Sequence, residues 1–173
     1  MAYLIYGEKR PLVYLANFRV GSTSTAKAIM DHGGEQQGHH HDQPTFIPDN
    51  AIVCHTVRHH CDVMVSYWFK KASGQPFDKF VELVLEGNHP YLSSDGFYQR
   101  WGDTPNRVLR YETLSEDWSE VCEEVGLDAK DLVQSNSKRP KGISWHLLYR
   151  PNLYERVAAT FKHEMEKYGY GRS

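Results

Sequence analysis

The chain has 173 residues, of which 40% are hydrophobic and 24% charged, and a net charge of −2 with neutral histidines. That is the size and composition of one globular domain, residues 1–173, able to bury a core without staples. The balance excludes the broad basic field that nucleic acid requires, so no nucleic-acid partner is expected.

No apolar run reaches the roughly 18–20 residues that span a bilayer, and the opening MAYLIYGEKRPLVYLAN is too short and too mixed for a signal peptide. No membrane partner is expected. Three cysteines, Cys54, Cys61 and Cys122, make no disulfide framework. They read as small buried hydrophobes in a reducing, cytoplasmic setting.

Residues 12–16, LVYLA, form a short apolar run rich in β-formers and predict a buried strand. The small polar loop Asn17-Phe18-Arg19-Val20-Gly21-Ser22-Thr23-Ser24-Thr25 follows, then a helical stretch, AKAIMDHG, stopped by Gly33 and Gly34. Residues 33–49 show no periodicity, and a structureless loop of that length in a compact domain is usually functional or mobile. Residues 51–57, AIVCHTV, predict a second buried strand with Arg58 at its end. A helix is expected from about Cys61 to Lys71, with Val63, Met64, Tyr67 and Trp68 on one side.

Pro76 and Gly87 bracket an amphipathic helix carrying Phe77, Phe80, Val81, Val84 and Leu85 on one face. Residues 107–111, RVLRY, suggest a third strand. Trp118, Val121, Cys122 and Val125 mark a helix ended by Gly126. Residues 135–146 form a basic loop, and the last helix aligns Leu153, Val157, Phe161, Met165 and Tyr168. Short strands alternating with helices imply an α/β layer fold with a mainly parallel sheet. Ligands bind such sheets at the carboxyl ends of strands, where Arg19 and Arg58 both lie.

The loop from Phe18 to Thr25 has the parts of an anion site. Gly21 allows close backbone approach. The first-turn amides and the helix dipole favour negative charge. Ser22, Thr23, Ser24 and Thr25 offer hydroxyls, and Arg19 adds a forked positive charge. The alternative is that Ser22 to Thr25 only cap a helix. The pattern GxxxxGK[ST] of ATP- and GTP-hydrolysing proteins is absent.

The second stretch, from Val57-Arg58 to Ser66-Tyr67-Trp68, places an Arg at a strand end and a Ser eight residues later in the following helix. Across that turn both can converge on one phosphate. Taken singly, Arg58 reads equally as a surface ion pair and Ser66 as a solvated helix position.

Together these segments resemble the sulfotransferases that use 3′-phosphoadenosine 5′-phosphosulfate (PAPS). RVGSTST is similar to the family's 5′-phosphosulfate loop, with Arg19 where many cytosolic members have Lys. Arg58 and Ser66 match its 3′-phosphate motif, although His60 stands where the family often has Pro. Leu109-Arg110-Tyr111-Glu112-Thr113-Leu114 resembles the family's RYEDL segment; Tyr111 is a candidate nucleotide contact and Glu112 a structural residue. Arg139-Pro140-Lys141-Gly142 resembles the basic loop closing over the 3′-phosphate, and Tyr168-Gly169-Tyr170 the usual ending.

The resemblance spans roughly residues 11–170. It implies a single sulfotransferase domain of three layers, a mainly parallel sheet flanked by helices in the P-loop-NTPase-like manner. PAPS would be the donor, and no metal is required. The implied donor-binding residues are Arg19, Val20, Gly21, Ser22, Thr23, Ser24, Arg58, Ser66, Tyr111, Arg139, Lys141 and Gly142.

Sulfuryl transfer also needs stabilisation of the leaving oxygen, for which Arg19 is placed, and a base for the acceptor hydroxyl or amine. Many members carry a histidine between the two anion motifs. His40 and His41 are therefore the candidates, with Glu35 in reserve. The run His39-His40-His41-Asp42 is an unpromising metal site, because consecutive residues rarely all ligate one ion. A small-molecule, carbohydrate or peptide acceptor all fit. The aromatics Tyr91, Phe97, Tyr98 and Trp101 are candidates for its lining, or for core packing. The competing functions are a non-catalytic nucleotide- or phosphate-binding protein of the same fold and a small P-loop phosphotransferase. The latter lacks both a Walker lysine and a clear strand-end Asp for magnesium.

Overall fold

The structure, a computed structural model, describes residues 1–38, 44–90, 92, 94–129, 132, 139–140 and 142–171. The chain divides into two compact units, residues 1–57 with 101–135, and residues 58–100 with 136–173.

The first unit holds a five-stranded sheet: β1 (Ala2–Tyr6), β2 (Pro11–Leu15), β3 (Glu35–Gln37), β4 (Ile52–Val57) and β5 (Arg107–Arg110), in spatial order β3-β1-β2-β4-β5. β2–β4 and β4–β5 are parallel, whereas β1 pairs antiparallel with both β2 and β3. The sheet is therefore mixed, not mainly parallel as the sequence implied. The reason is the N-terminal hairpin. Tyr3, Leu4 and Ile5 find their partners across a short turn, which forces an antiparallel pair. β3 likewise falls inside the stretch read as structureless; its three residues have too little pattern to announce a strand.

Side chains alternate along each strand. Tyr3, Ile5, Leu12, Tyr14, Ile52, Cys54 and Leu109 line one face, with α1 (Ser22–Asp31) and α4 (Leu114–Val125) packed on it through Ala28, Ile29, Trp118, Val121, Cys122 and Val125. Ala2, Leu4, Val13, Leu15 and Val53 line the other face, with Trp101 against them. Burial on both faces explains why β2 and β4 read as continuous apolar runs. All three cysteines are free and buried. Burial pushes the Cys61 thiol up to about 12 and the Cys122 thiol up to about 11, as expected of packing groups.

The second unit contains α2 (His60–Tyr67), which runs into a wider turn at Trp68–Ala72, then α3 (Phe77–Leu85), α5 (Pro151–Thr160) and α6 (Lys162–Lys167). Every residue of α2 is buried, so its one-sided reading was too narrow. Gly87, with φ 72°, ends α3 in a glycine C-cap: its N–H donates to Val84 O and that of Asn88 to Leu83 O. The final helix breaks at Phe161, yet Leu153, Val157, Phe161, Met165 and Tyr168 are all buried, as their spacing predicts.

Candidate functional site

The segment after β2 begins with Asn17, which is buried and held on three sides. Its Nδ2 donates to Thr56 O at 2.9 Å and lies 3.1 Å from His55 Nδ1, while its Oδ1 accepts from Trp101 Nε1 at 2.6 Å. This network ties the loop's root to β4. Arg19 follows with φ 62°, a left-handed conformation uncommon outside glycine, and Gly21 has φ 82°. Two positive-φ residues this close turn the chain sharply at the entry to α1.

A Cβ on Gly21 would sit 3.1 Å from Leu114 Cδ2 and 3.1 Å from Tyr111 Cδ2. The absent side chain thus lets the Tyr111 ring lie against the loop. Tyr111, a candidate nucleotide contact in the sequence, thus has its ring against Gly21.

The N-cap of α1 is Gly21, which has no side chain to give, and the first turn contains no acidic residue. Ser22 to Thr25 therefore do not cap the helix from the preceding position. Ser24 N donates to Gly21 O at 2.9 Å, which closes the first turn. Thr23 is exposed, Ser22 half-buried and Ser24 buried. Val20 is fully buried.

The second cluster belongs to the other unit, starting where the chain leaves β4. Arg58, Asp62 and Ser66 succeed one another at four-residue intervals and all are buried. Arg58 Nε donates to Asp62 Oδ2 at 2.6 Å, and its second terminal nitrogen lies 2.5 Å from the same oxygen. The other carboxylate oxygen, Oδ1, accepts from Arg139. One carboxylate thus holds two guanidinium groups, leaving one net positive charge beside the Ser66 helix face. Gly142 is exposed with φ 85°. Lys141 lies outside the described residues.

Sequence reasoning named Arg58, Ser66 and Arg139 but gave Asp62 no role. Its signal was present: Asp62 is four residues after Arg58 and one helical turn before Ser66, on the same face of α2 as Ser66.

His59 caps α2, its Nδ1 accepting from Cys61 N at 3.2 Å. Its ring stacks on Trp145 with centroids 4.4 Å apart. Burial first, then the neighbouring His60, lowers its pKa to about 4. His60, at the position where Pro was expected, is fully buried, with Nε2 2.5 Å from Glu164 Oε2. Glu164 also accepts from the amides of Phe97 at 2.8 Å and Tyr98 at 2.7 Å. Burial alone would raise the Glu164 carboxyl, but these hydrogen bonds outweigh it and leave it below its ordinary value.

The aromatics proposed for an acceptor lining face inward instead. Tyr98 and Trp101 are each 1% exposed, and Phe97 packs 4.7 Å from Phe161, centroid to centroid. Core packing, the competing explanation, accounts for these three; Tyr91 lies outside the described residues. So do the base candidates His40 and His41, together with His39. Glu35 is exposed on β3.

No family model and no curated protein matches this chain. Among solved structures, it is similar to the crystal structure of mouse sulfotransferase SULT7A1 complexed with PAP, at 17% identity and a TM-score of 0.49. The overlap takes in 67% of this chain and 59% of that one, so this chain spans less than two thirds of its length. A likeness of that size is partial and carries no argument about activity.

Proposed function

We propose that this chain is a sulfotransferase, one domain that moves a sulfuryl group from PAPS to a hydroxyl or amine of a small-molecule, carbohydrate or peptide acceptor. The observation that carries the reading is the Arg58–Asp62–Arg139 cluster, with Ser66 one helical turn on from Asp62. Two forked cations and a hydroxyl suit a phosphate monoester, and a 3′-phosphate is what separates PAPS from ATP. The uncapped glycine loop before α1 supports a second anion position, assigned to the 5′-phosphosulfate.

In this reading the acceptor oxygen or nitrogen attacks sulfur in line, and the bond from sulfur to the 5′-phosphate oxygen breaks. The products are the sulfated acceptor and adenosine 3′,5′-bisphosphate. Arg19 and the first-turn amides of α1 stabilise the charge that develops on the leaving oxygen. An imidazole of His40 or His41 takes the acceptor's proton. Ser22, Thr23 and Ser24 support the 5′ side, Tyr111 the nucleotide, and Arg139, Lys141 and Gly142 the 3′ side.

A thermal-shift comparison of adenosine 3′,5′-bisphosphate, AMP and ATP tests the donor assignment. The bisphosphate is expected to raise the melting midpoint well above AMP, because ligands that bind only the native state stabilise it, and Arg58→Ala should abolish the difference. Equal shifts from the bisphosphate and AMP would overturn it. Tight bisphosphate binding with no sulfuryl transfer to any acceptor in a PAPS-dependent screen would instead favour a non-catalytic nucleotide-binding protein.

A further inference from the structure

The Tyr98 hydroxyl makes two hydrogen bonds to the main chain of one residue. It accepts from Arg58 N at 2.9 Å and donates to Arg58 O at 2.6 Å. Tyr98 and Arg58 are 40 positions apart in sequence and both are buried. A phenol is well suited to this, since a single oxygen can donate and accept at once.

Tyr98 is itself fixed from behind. Its amide donates to Glu164 Oε1 at 2.7 Å, and the neighbouring Phe97 amide donates to Oε2 at 2.8 Å. His60 holds Oε2 at 2.5 Å, and the Tyr168 ring meets the Tyr98 ring edge-on with centroids 5.4 Å apart. The Tyr98 main chain therefore rests on a carboxylate with three hydrogen-bonding partners, Phe97 N, Tyr98 N and His60 Nε2.

On the other side, the Arg58 guanidinium is held by Asp62, four residues on. Arg58 is thus gripped at two points, the backbone by Tyr98 and the side-chain head by Asp62. Only the second grip is visible in sequence.

We propose that Tyr98 is a positioning residue for the anion site at Arg58. It acts through the Arg58 main chain, setting where the guanidinium stands relative to Ser66, and has no contact of its own with the anion. The inference rests on the proposed donor reading, in which that anion is the 3′-phosphate. A bidentate contact depends on geometry to within a fraction of an ångström, so loosening the Arg58 backbone weakens it without changing any charge.

The test is calorimetric titration of Tyr98→Phe with adenosine 3′,5′-bisphosphate and with AMP, below the melting midpoint of the variant. The substitution removes one oxygen and keeps the ring. The ratio of bisphosphate to AMP affinity should fall about tenfold, the size of one net hydrogen bond, while AMP affinity stays as in the wild type. A residue that only supports the fold would lower both affinities together or neither. Glu164→Gln, which weakens the support beneath Tyr98, should move the ratio the same way by a smaller factor, and it serves as the second variant should Tyr98→Phe fold poorly.

A clear wild-type preference for the bisphosphate that survives both substitutions overturns the role of Tyr98 and leaves the donor reading standing. Absence of that preference in the wild type overturns the donor reading and this inference with it.

Discussion

At the scale of single residues, the second cluster of the candidate site is organised by ion pairs around the buried carboxylate of Asp62. A buried carboxylate is unfavourable unless paired, and here Arg58 and Arg139 pair with it from two directions. His59 offers a titration that separates it from its neighbours. Its folded-state value of about 4 lies below the ordinary 6.5 because of burial and the adjacent His60. As pH falls, the unfolded chain binds this proton first, so stability from the neutral imidazole is complete above about pH 6.5 and is lost as pH drops toward 4. His59→Asn keeps a good helix N-cap but cannot titrate. Denaturant midpoints measured from pH 7.5 to 4.5 should therefore fall more steeply for the wild type than for the variant. Parallel curves would show that His59 is not held neutral by the fold.

At the scale of elements, glycine and hairpin geometry set the limits. The turn between β1 and β2 folds against the end of α4. Lys9 N donates to Val125 O at 3.0 Å, and Lys9 Nζ donates to Glu123 O at 2.8 Å. A basic side chain there satisfies a last-turn carbonyl and suits the negative end of the helix. A Cβ on Gly7 would lie 2.1 Å from Val125 O, an overlap with main chain that cannot rotate away. Gly7→Ala should therefore cost about 2 kcal/mol or more of unfolding free energy, by the usual penalty for overpacking a tight site, read from urea denaturation. Gly33→Ala is the control. Nothing lies within 4 Å of a Cβ there, so its effect comes only from the left-handed φ of 83°.

At the scale of the whole molecule, each of the two units has its own buried residues: the first a sheet covered by α1 and α4, the second apolar side chains of α2, α3, α5 and α6 such as Val63, Phe80, Val157 and Met165. Among the described residues, no group of three or more His, Cys, Asp and Glu is placed to hold a metal ion, and no helix of the described residues is long and apolar enough to cross a membrane. In the proposed reading the positive charge for anions comes from Arg19, Arg58 and Arg139. Dialysis against EDTA is accordingly expected to leave the melting midpoint unchanged. Stoichiometric zinc in the purified protein, lost together with the fold, would point to the histidines at 39–41 as a structural centre.

The sequence by itself determined what depends on neighbours a few positions apart. The helix faces of α3, α4 and the C-terminal pair follow from a 3.6-residue period, and their stops at Gly87 and Gly126 from the left-handed conformation a C-cap favours. Arg19 and Arg58 at strand ends, Gly21 at the loop, and Ser66 in the helix that follows Arg58 were legible for the same reason. Tertiary structure alone decided the rest. β1 pairs antiparallel because its partner lies across a tight turn, and a three-residue strand such as β3 exists only because β1 offers it an edge. The hold of Asn17 by His55 and Trp101, and of Arg58 by Tyr98, joins residues 38, 84 and 40 positions apart. No local pattern encodes such bonds. They form because burial removes water, and each polar group must then find its partner within the fold.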